Sequence, residues 1–139
     1  MHDSNAGIKR QIFKPVENMT NKKTLVLGAS ANPSRYSYLA LNSLQAKGHE
    51  VIAIGKNAGK VENVEIETVQ RNIENLDTVT LYLNTDHQKQ YYDYIFSLHP
   101  KRIIFNPGAE NDELSSLARK HGILPQEACT LVLLSTGQY

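Results

Sequence analysis

Residues 24–37 constrain this chain more than any other stretch, and they read Thr-Leu-Val-Leu-Gly-Ala-Ser-Ala-Asn-Pro-Ser-Arg-Tyr-Ser. Leu25, Val26 and Leu27 make a short apolar run that stops at Gly28, and the polar turn after it leads into helix-compatible sequence from about Tyr36. The pattern predicts a strand, a tight loop and a helix start. In a parallel α/β sheet such a turn lies at the carboxyl end of a strand, where free backbone N–H groups and the positive end of a helix dipole can hold phosphate. It is therefore the first place to look for a ligand.

The glycines of the dinucleotide-binding fingerprint have separate physical jobs, so the turn is compared with it position by position. Gly28 takes the place of the first glycine and permits the tight turn. Ser30 stands where the second would let the backbone approach a pyrophosphate, and Pro33 where the third would let helix and strand pack closely. An ordinary strand-to-helix turn, with Ser30, Asn32 and Ser34 as turn or cap residues, fits this stretch as well.

Downstream, Tyr38, Leu41 and Leu44 share a helical face that ends at Lys47-Gly48, a cationic last turn followed by a stop. Residues 50–54 then form an apolar run suited to a strand covered on both faces. A NAD-binding domain would place an acid after this second strand to bind the ribose hydroxyls. Gly55-Lys56-Asn57 stands there instead, and a cation suits an extra phosphate on the adenosine ribose, as in NADP or coenzyme A; a solvated loop lysine is the plain alternative.

Residues 57–75 read as irregular, with a short strand at residues 64–66 and a brief helix around residues 69–73. A third main strand is predicted at residues 78–83, ending at Asn84-Thr85, and Thr85 with Gln88 has the spacing of a capping box. Tyr91, Tyr94, Ile95 and Leu98 follow at helical intervals until Pro100. The fourth strand, residues 102–105, ends at Asn106-Pro107-Gly108-Ala109-Glu110-Asn111, and a helix through Leu114, Leu117 and Ala118 closes at His121-Gly122. Ile123-Leu124 begins a fifth strand, whereas the run at residues 129–134 fits either a strand or a buried helix.

Strands alternating with helices predict an α/β fold, a doubly wound parallel five-stranded sheet in three layers. Its ligand crevice lies outside the carboxyl ends of the strands. The loops at residues 28–37, 55–57, 84–85 and 106–110 all fall on that edge.

Bulk properties narrow the function classes. The 139 residues are 40% hydrophobic and 21% charged, ordinary for one globular domain, and a net charge of +1 without a basic patch does not indicate nucleic-acid binding. Cys129 is the only cysteine, which excludes an intramolecular disulfide and fits a reducing, cytoplasmic setting. Residues 1–22 are polar, carry no apolar run for a signal peptide or membrane span, and read as a flexible tail, with Ile12, Phe13 and Val16 as a docking arm and Met19 as an alternative start. His49, His87, His99 and His121 sit near element ends as cap or surface residues without metal-ligand spacing. Glu110 is the best-placed general base, although Asn111-Asp112-Glu113 alongside it read equally as helix N-terminal charge.

With these residues assembled, the chain resembles the small stand-alone CoA-binding domain proteins, which are similar to the nucleotide-binding domain of the succinyl-CoA synthetase α subunit. The resemblance covers about residue 22 to the C-terminus. It rests on Gly-Ala-Ser-Ala-Asn-Pro-Ser-Arg at 28–35, Lys-Gly-His-Glu-Val-Ile at 47–52, Asn-Pro-Gly-Ala-Glu-Asn at 106–111, and Ala118 with His121-Gly122-Ile123 leading to Cys129. It implies a Rossmann-like fold in which Gly28, Ala29, Ser30, Asn32, Pro33, Ser34, Arg35, Tyr36 and Ser37 hold the pyrophosphate, with Ser30 and Arg35 as direct ligands. It further implies that Gly55, Lys56 and Asn57 approach the adenosine 3′-phosphate, and that Asn84 and Thr85, with Asn106, Pro107 and Gly108, flank the pantetheine. Many relatives have Asn-Pro where this chain has Gly55-Lys56, and Thr130 follows Cys129 where proline or lysine is common, so no role is carried over for the thiol.

The expected function is binding of CoA or acyl-CoA without evident catalysis, in a regulatory role. The alternatives are an NADP-binding oxidoreductase and a protein-interaction domain with a vestigial nucleotide site. A homodimer suits each account, with the tyrosine-rich helix and the apolar C-terminal run as its surfaces.

Overall fold

Leu25, Val26 and Leu27 are wholly excluded from solvent, as expected of a central strand. The computed structural model describes residues 21–139. The expected tail, with its arm at Ile12, Phe13 and Val16 and the start at Met19, lies outside the described residues except for Asn21 and Lys22. Seven strands form one sheet: β1 (Thr24–Leu27), β2 (Val51–Ile54), β3 (Gly59–Val61), β4 (Val64–Glu67), β5 (Thr78–Leu81), β6 (Arg102–Phe105) and β7 (Leu124–Glu127). Their order is β3-β4-β2-β1-β5-β6-β7, and every pair is parallel except β3 with β4.

The predicted fold class stands, with seven strands in the sheet rather than five. The five predicted strands are β1, β2, β5, β6 and β7, and the short strand expected at residues 64–66 is β4. β3 is too short and polar to carry a periodic signal; it folds back on β4 through Glu62, which takes a left-handed φ of 54°. The helix expected around residues 69–73 does not form. The Tyr94 hydroxyl accepts from the Arg71 N–H at 3.2 Å and donates to the Arg71 carbonyl at 2.6 Å, so these backbone groups are satisfied by a tertiary tie, while Ile73 and Leu76 are buried as anchors of an irregular segment.

Alternation along the strands fills two layers. Leu25, Leu27, Val79, Ile103 and Phe105 face a core closed by α3 (Tyr92–Leu98) and α4 (Asp112–Lys120). Val26 and Ala53 face the other side, under Leu41 and Leu44 of α1 (Tyr36–Ala46) and Leu134 of α5 (Thr130–Ser135). The run at residues 129–134 thus resolves as a helix. The segment before Pro100 is not one helix but α2 (Thr85–Gln88), a 3-10 turn (Lys89–Tyr91) and α3.

At the amino edge of the sheet, the Tyr139 hydroxyl meets Thr24 Oγ1 at 2.7 Å, and its backbone oxygen accepts from Lys22 Nζ at 2.8 Å and Arg102 Nη1 at 3.0 Å. The Lys22 backbone N–H donates to His49 Nδ1 at 2.9 Å. Among the described residues β7 is the last strand, and its second residue is Pro125.

Candidate functional site

Leaving out β3, the parallel strands run 3-2-1-4-5-6 when renumbered in chain order, which places a switch point between β1 and β5. α1 leaves β1 toward one face and α2 leaves β5 toward the other, so the loops part and open a crevice. A cavity of about 240 Å³ lies there, walled by Gly28, Ser30, Arg35, Tyr36 and Ser37, by Leu81, Tyr82, Leu83 and Asn84, and by Asn106, Pro107, Gly108 and Ala109. A second, of about 500 Å³, is walled by Gly28, Ala29, Ser30, Ala31, Asn32 and Arg35, by Lys56, Asn57 and Ala58, and by His87. The two share Gly28, Ser30 and Arg35, so together they form one elongated groove bent around the first turn.

The turn is stitched to its neighbours. Gly28 adopts a φ of +90°, and a Cβ there would lie 2.7 Å from the Tyr82 carbonyl oxygen; its N–H and that of Ala29 both donate to Ile54 O at 3.0 Å. Ser30 Oγ accepts from the Asn32 N–H at 3.0 Å, and Asn32 Oδ1 accepts from the Ser34 N–H and hydroxyl at 3.0 and 2.9 Å. The side chains of Ser30, Asn32 and Ser34 thus do the turn-forming work of the alternative reading. Among the described residues, the amides of Ser30, Ala31, Tyr36 and Ser37 have no acceptor, and Arg35 is an N-cap without a side-chain cap bond. Helix dipole and free amides converge on the point where the two cavities meet.

Arg35 and Lys56 are exposed, and neither pairs with a carboxylate among the described residues. Gly55 is buried: its N–H donates to Glu67 O at 2.9 Å, and a Cβ would collide with the Ala29 carbonyl oxygen. This is a packing glycine behind the turn. Gly55, Pro33, Ser34 and Thr85 lie outside both cavity walls. The cap of α2 is Asn84, not Thr85, with Asn84 Oδ1 accepting from the His87 N–H at 3.0 Å.

Asn106 is buried and fully committed. Its Nδ2 donates to Thr80 Oγ1 at 2.7 Å and Leu81 O at 2.9 Å, and its Oδ1 accepts from the Thr130 N–H at 2.9 Å. It holds the ends of β5 and β6 against the start of α5. In the next turn, the Glu110 carboxylate accepts from the Gly108 N–H at 2.9 Å, while Asn111 caps α4 through the Leu114 N–H at 3.1 Å, with Asp112 and Glu113 in the first turn. Here the helix-terminal reading of the acidic group holds, and Glu110 also braces the Gly108 loop.

Tyr82, Leu83 and His87 enter the walls without having been singled out from sequence. Tyr82 and Leu83 continue an apolar run that reads as strand interior, but β5 stops at Leu81. His87 reaches the groove only because α2 crosses above the first turn. The buried Tyr82 hydroxyl has no hydrogen-bond partner among the described residues, and burial pushes its pKa up to about 12, against the smaller pull of the nearby Thr130 and Thr80 hydroxyls.

A family model described as a CoA binding domain matches residues 22–135. The chain belongs to the CoA-binding domain family. The match spans every element that walls the groove. A crystal structure titled as an uncharacterized protein is similar to this CoA-binding domain at 49% identity and a TM-score of 0.84, covering 86% of this chain and 98% of that one. A hypothetical protein from Pyrococcus horikoshii OT3 shares the fold at 19% identity and a TM-score of 0.76, with 85% and 84% covered. So does a dinucleotide forming acetyl-coenzyme A synthetase 1 from Ca. Korarchaeum cryptofilum, in complex with phosphate and ADP, at 20% identity and a TM-score of 0.61; the match covers 79% of this chain but 26% of that larger one. No curated protein was found to match. Among the described residues no helix is long and apolar enough to cross a membrane.

Proposed function

We propose that the chain binds coenzyme A or an acyl-CoA, as a binding and regulatory module without chemistry of its own. One observation carries the reading: two cavities share Gly28, Ser30 and Arg35, with Lys56 in the wall of one and the neutral stretch Leu81, Tyr82 and Leu83, with Pro107 and Ala109, in the wall of the other. That polarity suits a long ligand, anionic at one end and uncharged at the other. The pyrophosphate sits at the shared point, on the free amides of Ser30 and Ala31 and the start of α1, with Arg35 beside it. Lys56 meets the 3′-phosphate in the larger cavity, and the pantetheine arm runs past Asn84 toward Pro107 and Gly108.

A ligand that binds only the folded state raises its melting temperature. Thermal shifts are expected with CoA and acetyl-CoA, a smaller one with dephospho-CoA, and none with NAD. In calorimetry, Arg35→Ala and Lys56→Ala should each weaken CoA about tenfold, the scale of one charge-assisted contact. Unchanged CoA affinity in both variants would remove these roles. A shift with NADP alone would move the reading to a redox enzyme, and silence from all five ligands to an interaction domain.

A further inference from the structure

The larger cavity contains a group that the family resemblance does not place there. Among the described residues its wall carries two cations, Arg35 from the first turn and Lys56 from the loop after β2, together with the imidazole of His87 from α2, and no carboxylate. Asp86 adjoins His87 in the chain but is not part of that wall. The three come from separate segments, two loops and a helix, so their meeting is a product of the fold.

His87 is held for this position. Its N–H is taken by Asn84 Oδ1 at 3.0 Å, and its carbonyl accepts from Gln90 Nε2 at 3.3 Å. The next residue, Gln88, is fully buried, and its Nε2 donates to Leu83 O and Ala109 O, each at 2.8 Å. The backbone beneath the imidazole is therefore pinned from two sides. The ring itself has no hydrogen-bond partner among the described residues and is exposed toward the first turn's own cavity. A donor carried on this pinned backbone, facing a groove lined with cations and free amides, matches the oxygens of a phosphate.

We propose that His87 is a further binding residue, closing over the pyrophosphate from the β5 side, opposite the amides of the first turn. The proposal rests on the CoA reading above. His87 donates a ring N–H to a pyrophosphate oxygen, while Lys56 serves the 3′-phosphate. The two assignments separate by ligand: loss of His87 weakens CoA and dephospho-CoA alike, and loss of Lys56 weakens CoA alone.

The test is calorimetry of CoA and dephospho-CoA on the unsubstituted chain and on His87→Ala, His87→Lys and Lys56→Ala, with the ligand-free melting temperature of each confirming that the fold is kept. His87→Ala is expected to lose about tenfold for both ligands, and His87→Lys, which keeps an N–H donor at this position, to recover most of it. Unchanged affinity for both ligands in His87→Ala overturns the role of His87 while the CoA reading stands. A loss confined to CoA overturns its placement on the pyrophosphate. If the unsubstituted chain binds neither ligand, the CoA reading fails and this proposal with it.

Discussion

Asn106 illustrates how a residue's type and its employment are separate questions. Its place at the carboxyl end of a strand makes it a ligand candidate, yet all three of its hydrogen bonds go to Thr80, Leu81 and Thr130. Replacing it by Ala leaves a buried amide and carbonyl unpaired, at about 1–3 kcal/mol for each group that water cannot reach. Asn106→Ala is expected to lower the unfolding free energy by about 2–4 kcal/mol, measured by urea denaturation; a loss within experimental error would show that the groups find other partners. Asn84, Ser30 and Asn32 repeat the lesson, because each is visible in the sequence as a polar residue on the ligand edge. What the sequence does not reveal is that their side chains are turned toward backbone amides of their own loops. Arg35 and Lys56 differ: their side chains pair with no carboxylate among the described residues, which leaves their charge to the groove.

Among the elements, α2 and its continuation were the least legible. Helical spacing from Tyr91 to Leu98 was sound, but the segment breaks into three pieces because it is built around polar bonds that periodicity does not register. Asn111 Nδ2 donates to Gln88 Oε1 and to the Tyr92 hydroxyl, both at 2.8 Å, while its Oδ1 caps α4. One side chain therefore ties α2, α3 and α4 together. Asn111→Ala removes a cap worth about 1 kcal/mol and orphans the buried Gln88 oxygen. A loss of about 2–3 kcal/mol is expected in denaturant. Hydrogen exchange should quicken across α2 and α3, as well as in the first turn of α4; acceleration confined to α4 would mean that Asn111 is only a cap. β3 escaped notice for the opposite reason, being three residues paired to a neighbour that follows a two-residue turn.

At the scale of the whole molecule, the parallel three-layer arrangement was readable because each central strand is an unbroken apolar run followed by a loop of small and polar residues. The amino edge was not, since its closure joins residues far apart in the chain. His49 is part of that closure: it accepts from the Lys22 N–H, its ring centroid lies 4.9 Å from that of Tyr139, and burial, then the charges of Lys22 and Arg102, hold its pKa below the ordinary 6.5. The folded protein thus prefers the neutral ring, whereas the unfolded chain takes up the proton first as pH falls. The contribution to stability is complete above the ordinary value and is lost on acidification through the lowered one. Denaturation midpoints should fall as the pH drops from about 7 through the ordinary histidine value, and His49→Gln should flatten that dependence. An unaltered slope in the variant would assign the acid sensitivity to other groups.

Pro125 has a consequence of a different kind. At the start of β7 and just past its end, the N–H groups of Leu124 and Ala128 point inward, donating to Lys101 O at 3.0 Å and Phe105 O at 3.2 Å, so the residue at position 125 presents its nitrogen to the outside. That nitrogen bears no hydrogen. The margin where another polypeptide would begin to zip on lacks a donor at its centre, and the polar or charged Gln126 and Glu127 follow. Such a border resists runaway stacking into fibres along β7.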